Sequence, residues 1–264
     1  MSLMLNLIDN EKPNNPTIVM LHGLGGTHRY WNTGLENLSK YYHIVRPDLL
    51  GFGDSPQPWQ IYTQEKHIKA IEQALASYPS FILVGHSLGA ILALRFAQKH
   101  PDRVKALVLI SLPLFVNKPN AYSWMRQTPS GWLMTNMAVA ALTCMTTRRL
   151  AKKILPHFLD SYPPEVINDL VKHNIMSSIS TLWKVIYNQA FLQDIHSLEL
   201  DMSVYCIHAK NDSTAPYQTV HNLTTTLPKW TLSTLDNSGH HPWLWDNEKC
   251  IAVVNNAIKT VYSS

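Results

Sequence analysis

Residues 81–89 read Phe-Ile-Leu-Val-Gly-His-Ser-Leu-Gly. The first four are large, apolar and partly β-branched, the composition of a short buried strand. Ala90–Lys99 follows, rich in Ala and Leu, and stops before His100-Pro101, a helix-end signal. Gly85 to Gly89 is therefore G-x-S-x-G in a strand–turn–helix context, the setting that makes this pattern a nucleophile site. The turn must be sharp for the Ser87 hydroxyl to project above the sheet. Side chains at positions 85 and 89 would collide with the neighbouring chain. The same turn aims the Leu88 N–H and the helix N-terminus at the reacting centre. The bland alternative is a structural glycine-rich turn.

Working outward, apolar runs alternate with helical patterns. Thr17–Leu21, His43–Arg46, Val104–Ile110, Val204–Ala209 and Trp230–Leu235 read as strands. Between Thr63 and Tyr78 the residues His67, Ile68, Ile71 and Leu75 recur at helical spacing, and a last helix is expected from Asn247 to Val261. Such alternation argues for βαβ units and a parallel sheet. It breaks from Pro113 to Leu200, where helical segments occur without a convincing strand. The expected organisation is a core of 1–112 and 201–264 with a helical cap at 113–200.

A serine hydroxyl is a weak nucleophile until a base takes its proton. The chain has 13 histidines, so position has to choose. His240, in Asp-Asn-Ser-Gly-His-His-Pro-Trp (236–243), follows the last predicted strand and is the expected base. His241 is the alternative, and His22 and His86 are read as framework. A base needs a carboxylate to fix its tautomer. Asp212, in Asn-Asp-Ser-Thr-Ala-Pro (211–216), follows a strand and is the expected partner, with Asp201 and Asp236 as alternatives. The oxyanion donors are expected to be the N–H groups of Leu88 and Leu24, with Gly25 the alternative to Leu24. Leu24 sits in His-Gly-Leu-Gly-Gly (22–26), where glycines let the backbone approach a substrate. Pro47–Ser55 is a further glycine loop, read as structural.

Composition excludes other classes. At 264 residues and 45% hydrophobic content the chain can bury a full core and is not disordered. Its net charge of +4 is too small and scattered for a nucleic-acid binder. Cys144, Cys206 and Cys250 form no C-x-x-C pair, and an odd count argues against a disulfide framework. No secretory signal is read at the N-terminus, so a reduced, cytoplasmic location is expected. Gly131–Met145 is apolar but too short to span a membrane. A buried or pocket-lining helix is expected there, with interfacial membrane contact as the alternative and stable insertion excluded.

At these motifs the sequence resembles the α/β-hydrolase superfamily. The matching stretches are residues 22–26, 48–55, 85–89, 211–216 and 238–243. The resemblance implies a mostly parallel eight-stranded sheet with helices on both faces and a helical cap after the sixth strand. It implies a serine esterase working through an acyl-serine, without metal or organic cofactor. Ser87 at the elbow separates the chain from dehalogenases and epoxide hydrolases that use Asp there. Between Pro113 and Leu200 lie eight basic and five acidic residues. Arg148, Arg149, Lys152 and Lys153 would form one basic strip on a helix. It is either a solvated face or a dock for an acidic acyl carrier protein. An apolar wall beside it is similar in architecture to the pimeloyl-acyl-carrier-protein methyl ester esterases of biotin synthesis. The alternatives are a carboxylesterase or thioesterase for small or medium acyl esters, a C–C bond hydrolase, and a non-catalytic ligand-binding scaffold.

Overall fold

The structure is a computed structural model that describes residues 4–115, 117–136, 138–140, 142, 162–170, 172–189 and 198–262. Its strands are β1 (Leu7–Asp9), β2 (Thr17–Leu21), β3 (His43–Pro47), β4 (Phe81–His86), β5 (Val104–Ile110), β6 (Ser203–Ala209) and β7 (Trp230–Leu235). They form one sheet in the order β1-β3-β2-β4-β5-β6-β7. All neighbours are parallel except β1, which runs antiparallel to β3. The described helices before β5 are α1 (Glu36–Ser39), α2 (Gln64–Ala74) and α3 (Leu88–Lys99). Between β5 and β6 lie α4 (Lys118–Met125), α5 (Pro129–Thr135), α6 (Pro164–Asp169) and α7 (Ile175–Thr181). After β6 come α8 (Tyr217–Thr226), α9 (Pro242–Trp245) and α10 (Asn247–Tyr262).

Strand periodicity divides the core in two. Val19, Leu21, Leu83 and Leu107 face one side and pack with Ile68 and Ile71 of α2 and Leu92 and Phe96 of α3. Ile18, Met20, Ile82 and Val108 face the other and pack with Ile251, Val254 and Ile258 of α10. Successive strand side chains point to opposite faces, so near-continuous apolar runs mark strands covered on both sides.

The strand order places the site. β2 is joined through the chain to β3 on one side, while β4 lies on its other side. The connections leaving β2 and β4 therefore diverge and open a crevice at the carboxyl ends of the strands, where open α/β sheets bind ligands.

Seven strands stand where eight were expected, counted among the described residues, and the helical segment follows the fifth strand rather than a sixth. β1 was not predicted. It has three half-buried residues, Leu-Ile-Asp, too few to show a period. The segment between β5 and β6 is tied to the core by backbone and charge. The Gly53 N–H donates to the Lys172 carbonyl at 2.8 Å. Arg29 pairs with buried Asp169 at 2.5 Å, and the Thr27 hydroxyl donates to the same carboxylate. Phe52 forms an isolated bridge with His173.

The apolar stretch from Gly131 is only partly inward. Met134 faces the pocket and Ala140 is buried, but Trp132, Leu133 and Leu142 are exposed. A seven-residue helix held at one face cannot turn every apolar side chain inward. Cys144 and the strip Arg148, Arg149, Lys152 and Lys153 lie outside the described residues. No helix among the described residues is long and apolar enough to cross a membrane.

Candidate active site

Ser87 stands between β4 and α3 with φ 52° and ψ −114°. A non-glycine residue at positive φ costs on the order of 1–3 kcal/mol and persists only where its surroundings enforce it. Here the enforcement is visible. The Ser87 N–H donates to the Ile110 carbonyl at 3.0 Å, and the Ser87 carbonyl accepts from Ala90 at 2.9 Å. A Cβ at Gly89 would overlap the Leu21 carbonyl, and one at Gly85 would overlap the carbonyl of Gly89. The crossing of α3 over β2 and β4 is thus too close for any side chain.

The sequence-predicted base and acid converge on this serine. His240 Nε2 lies 2.9 Å from Ser87 Oγ. His240 Nδ1 lies 2.9 Å from Asp212 Oδ2 and 3.1 Å from Oδ1. A carboxylate only accepts, so the proton sits on Nδ1 and Nε2 is free to accept from the serine hydroxyl. Asp212 is held by the N–H groups of Thr214 at 2.8 Å and Ala215 at 2.9 Å, both on Oδ1. Burial alone would raise its carboxyl, but His240 and His208 outweigh that and hold it well below the usual carboxylate range. The alternatives are elsewhere. Asp236 is exposed and paired with Lys210, and Asp201 is exposed beside Lys229.

Framework residues fix the His240 loop. His86 Nε2–H donates to the His240 carbonyl at 2.7 Å, and its ring stacks on Tyr30 at 4.5 Å. Asn211 accepts from the Gly239 N–H at 2.9 Å. Gly239 itself sits at φ 55°, which lets the chain reverse before His240. His241 lies beside His86 rather than on Ser87, and burial followed by His240 lowers its pKa to about 3. His22 Nε2 accepts from the Leu49 N–H at 2.9 Å, tying loop 22–26 to loop 47–55. Sequence reasoning missed Asn211 and His208. The only signal was proximity: Asn211 directly precedes Asp212 in the 211–216 motif, and His208 lies four residues before it on β6.

Of the two expected oxyanion donors, Leu24 lines the crevice beside Ser87, and Leu88 follows Ser87 in the chain. Leu88 opens α3, so its N–H carries the partial positive charge of a helix start. A pocket of about 220 Å³ joins Leu24, Ser87 and His240 to an apolar wall of Phe115, Met125, Met134, Ile186 and Tyr187. Among the described residues no lysine, arginine or carboxylate lines it. Among the described residues no three or more His, Cys, Asp or Glu side chains are grouped to hold a metal ion.

The model of the family described as "alpha/beta hydrolase fold" matches residues 16–247. A probable lysophospholipase, BODYGUARD 3 of Arabidopsis thaliana, is 23% identical over 270 residues, 88% of this chain and 54% of that protein. The (lyso)-N-acylphosphatidylethanolamine lipase of Bos taurus is 27% identical over 231 residues, 77% of this chain and 67% of that protein. The chain spans 24% of the length of BODYGUARD 2, with which it shares 35% identity over 116 residues. Among solved structures, a carboxylesterase of Nitrososphaera gargenis superposes with a TM-score of 0.78 at 15% identity, covering 98% of this chain and 95% of that one. This last likeness concerns the fold. The strained serine at the β4–α3 turn, the strand order and the matched span together place the chain in the alpha/beta hydrolase fold family.

Proposed function

We propose that the chain is a serine hydrolase of carboxylic esters. The observation that carries this is the relay from Ser87 through His240 to Asp212, with contacts of 2.9 Å on either side of the imidazole. Ser87 Oγ attacks the ester carbonyl carbon as its proton passes to His240 Nε2. Asp212 stabilises the imidazolium so formed. The Leu24 and Leu88 N–H groups donate to the oxyanion. Collapse expels the alcohol, which takes the proton from His240 and leaves an acyl-serine. Water then repeats the sequence, with His240 as its base, and releases the acid.

The pocket supports an uncharged, apolar acyl group, since among the described residues Phe115, Met125, Met134 and Tyr187 line it and no Lys, Arg, Asp or Glu does. Its volume of about 220 Å³ suits a short or medium chain. The relatives named as lipases and lysophospholipases support lipid esters as the source of such chains. The second reading is an acyl ester delivered on an acidic carrier protein, the pimeloyl-carrier methyl ester of biotin synthesis. The basic run Arg148, Arg149, Lys152 and Lys153 favours it.

The test is kinetic and chemical. Ser87→Ala should lower kcat for p-nitrophenyl butyrate by on the order of 10³-fold or more. A fluorophosphonate probe should label wild type at Ser87 and leave the variant unlabelled. Turnover close to wild type in Ser87→Ala overturns the assignment.

A further inference from the structure

The helices over the pocket carry an outer face that this chemistry does not use. α4 and α5 turn Met125 and Met134 toward Ser87. On the outside, Trp132 is 50% exposed, Leu133 37% and Leu142 61%. Scattered exposed apolar residues are ordinary, but three large ones within a short stretch mark a surface that something covers.

Beside them α4 bears an open cleft of about 580 Å³ lined by Lys118, Tyr122, Ser123, Arg126 and Gln127. The Lys118 ammonium stands 5.5 Å from the centre of the Tyr122 ring and the Arg126 guanidinium 5.7 Å. Arg126 Nε also donates to Thr135 Oγ1 at 3.0 Å, and the Thr135 hydroxyl donates to the Trp132 carbonyl at 2.9 Å. The basic cleft and the Trp132 turn are therefore continuous. The sequence has no Asp or Glu between Asp102 and Asp160, so these cations have no acidic neighbour on their own segment.

We propose that this face docks the protein on an anionic lipid surface. Trp132, Leu133 and Leu142 enter the boundary between headgroups and acyl chains, and Lys118 and Arg126 meet the phosphates. Tryptophan and leucine beside lysine and arginine is the pairing that such a boundary selects, apolar bodies inward and charges in the headgroup layer. A protein partner fits less well. A standard protein interface buries roughly 800 Å² on each side, and three partly exposed side chains with two cations fall short of that. A bilayer asks only for anchors and charge. The inference rests on the ester-hydrolase reading for its purpose, since the same two helices line the pocket and docking would set it beside a store of acyl esters.

The test measures binding apart from catalysis. Wild type is sedimented with vesicles of phosphatidylcholine alone and of equal parts phosphatidylcholine and phosphatidylglycerol. Roughly tenfold more protein should pellet with the anionic vesicles, and high salt should reverse this. The double variants Lys118→Gln with Arg126→Gln, and Trp132→Ser with Leu133→Ser, should each lower the bound fraction about fivefold. Both should keep the wild-type melting temperature and the wild-type rate on p-nitrophenyl butyrate. Ser87→Ala should bind like wild type, so a failure of the ester-hydrolase reading leaves this result standing. Equal partition onto neutral and anionic vesicles, or double variants that bind like wild type, overturns the proposal. So does a wild type that ignores vesicles but binds a purified acidic acyl carrier protein. If a double variant fails to fold, the dependence of wild type on lipid charge and salt still decides.

Discussion

At the scale of single residues, His86 does more than occupy the variable position of G-x-S-x-G. It is buried next to Ser87, and its Nε2–H holds the carbonyl of His240 at 2.7 Å while Tyr30 packs its ring. Its Nδ1 is buried without a partner, and burial, then the neighbouring His241 and His240, hold its pKa well below that of a free imidazole. A neutral donor is therefore fixed on the backbone of the base. His86→Ala should lower kcat about tenfold with KM nearly unchanged, because a misplaced base weakens the transition state more than the bound ester. His86→Gln, whose amide can reach the same carbonyl, should recover most of the loss. Equal falls in both variants, or a rise confined to KM, would remove the positioning role. Ser87, Asp212 and His240 were legible in the sequence because each sits in a short local pattern at a strand end. The partners of those residues were not. The contact of His86 with His240 spans 154 positions, and that of Asn211 with Gly239 spans 28. Only the strand order brings them together.

At the scale of elements, the β4–α3 turn is the part the sequence described best, and the structure gives the reason its glycines cannot be exchanged. Gly89 lies in the first turn of α3, where helix propensity alone would favour alanine by about 1 kcal/mol. A Cβ there would overlap the carbonyl of Leu21 on β2. Neither a rotamer change nor a flexible side chain can relieve a clash with backbone, so α3 would have to lift off the sheet. Gly89→Ala should therefore destabilise by about 3 kcal/mol or more, the range of severe core overpacking. Urea denaturation checks it, and a midpoint equal to wild type would contradict the packing. The buried parallel strands were equally legible. β2, β5 and β7 have the expected limits, and β3, β4 and β6 differ by one or two residues at one end. β1 escaped notice because an antiparallel edge strand of three half-buried residues carries no pattern. The helices between β5 and β6 were legible as helices but not in orientation. Their contacts to the core run through specific pairs such as Asp169 with Arg29 and Ser180 with Tyr62, which no periodicity announces.

At the scale of the whole molecule, the histidines set how the fold responds to acid. His22, His67, His86 and His241 are all held below the ordinary histidine pKa, first by burial, and His67 and His241 to about 3. In the unfolded chain each returns to about 6.5. Between those values the unfolded chain binds protons that the folded chain refuses, so stability rises with pH. The contribution of these groups is complete above about pH 6.5 and falls as pH drops toward their folded values. Each such histidine costs about 1.4 kcal/mol per pH unit once the unfolded form is protonated. His67 and His241 alone then remove about 3 kcal/mol per unit, a large share of the 5–15 kcal/mol that holds a domain together. Asp48 and Asp212 add to the loss at lower pH. Burial would raise both carboxyls, but histidine partners and hydrogen bonds keep them charged in the fold, and that stability disappears as pH falls through the carboxylate range. The two windows are separable. Urea unfolding followed from pH 7.5 downward should lose stability already below about pH 6.5, before any carboxylate titrates in the unfolded chain. His67→Gln keeps a donor for Thr181, to which His67 Nε2 is bonded at 3.1 Å, and removes one titrating group. Its stability should fall less steeply by about one proton, close to 1.4 kcal/mol per pH unit. A wild-type stability that stays level from pH 7.5 to 5, or an unchanged slope in His67→Gln, would show that these imidazoles are not buried neutral in the folded protein.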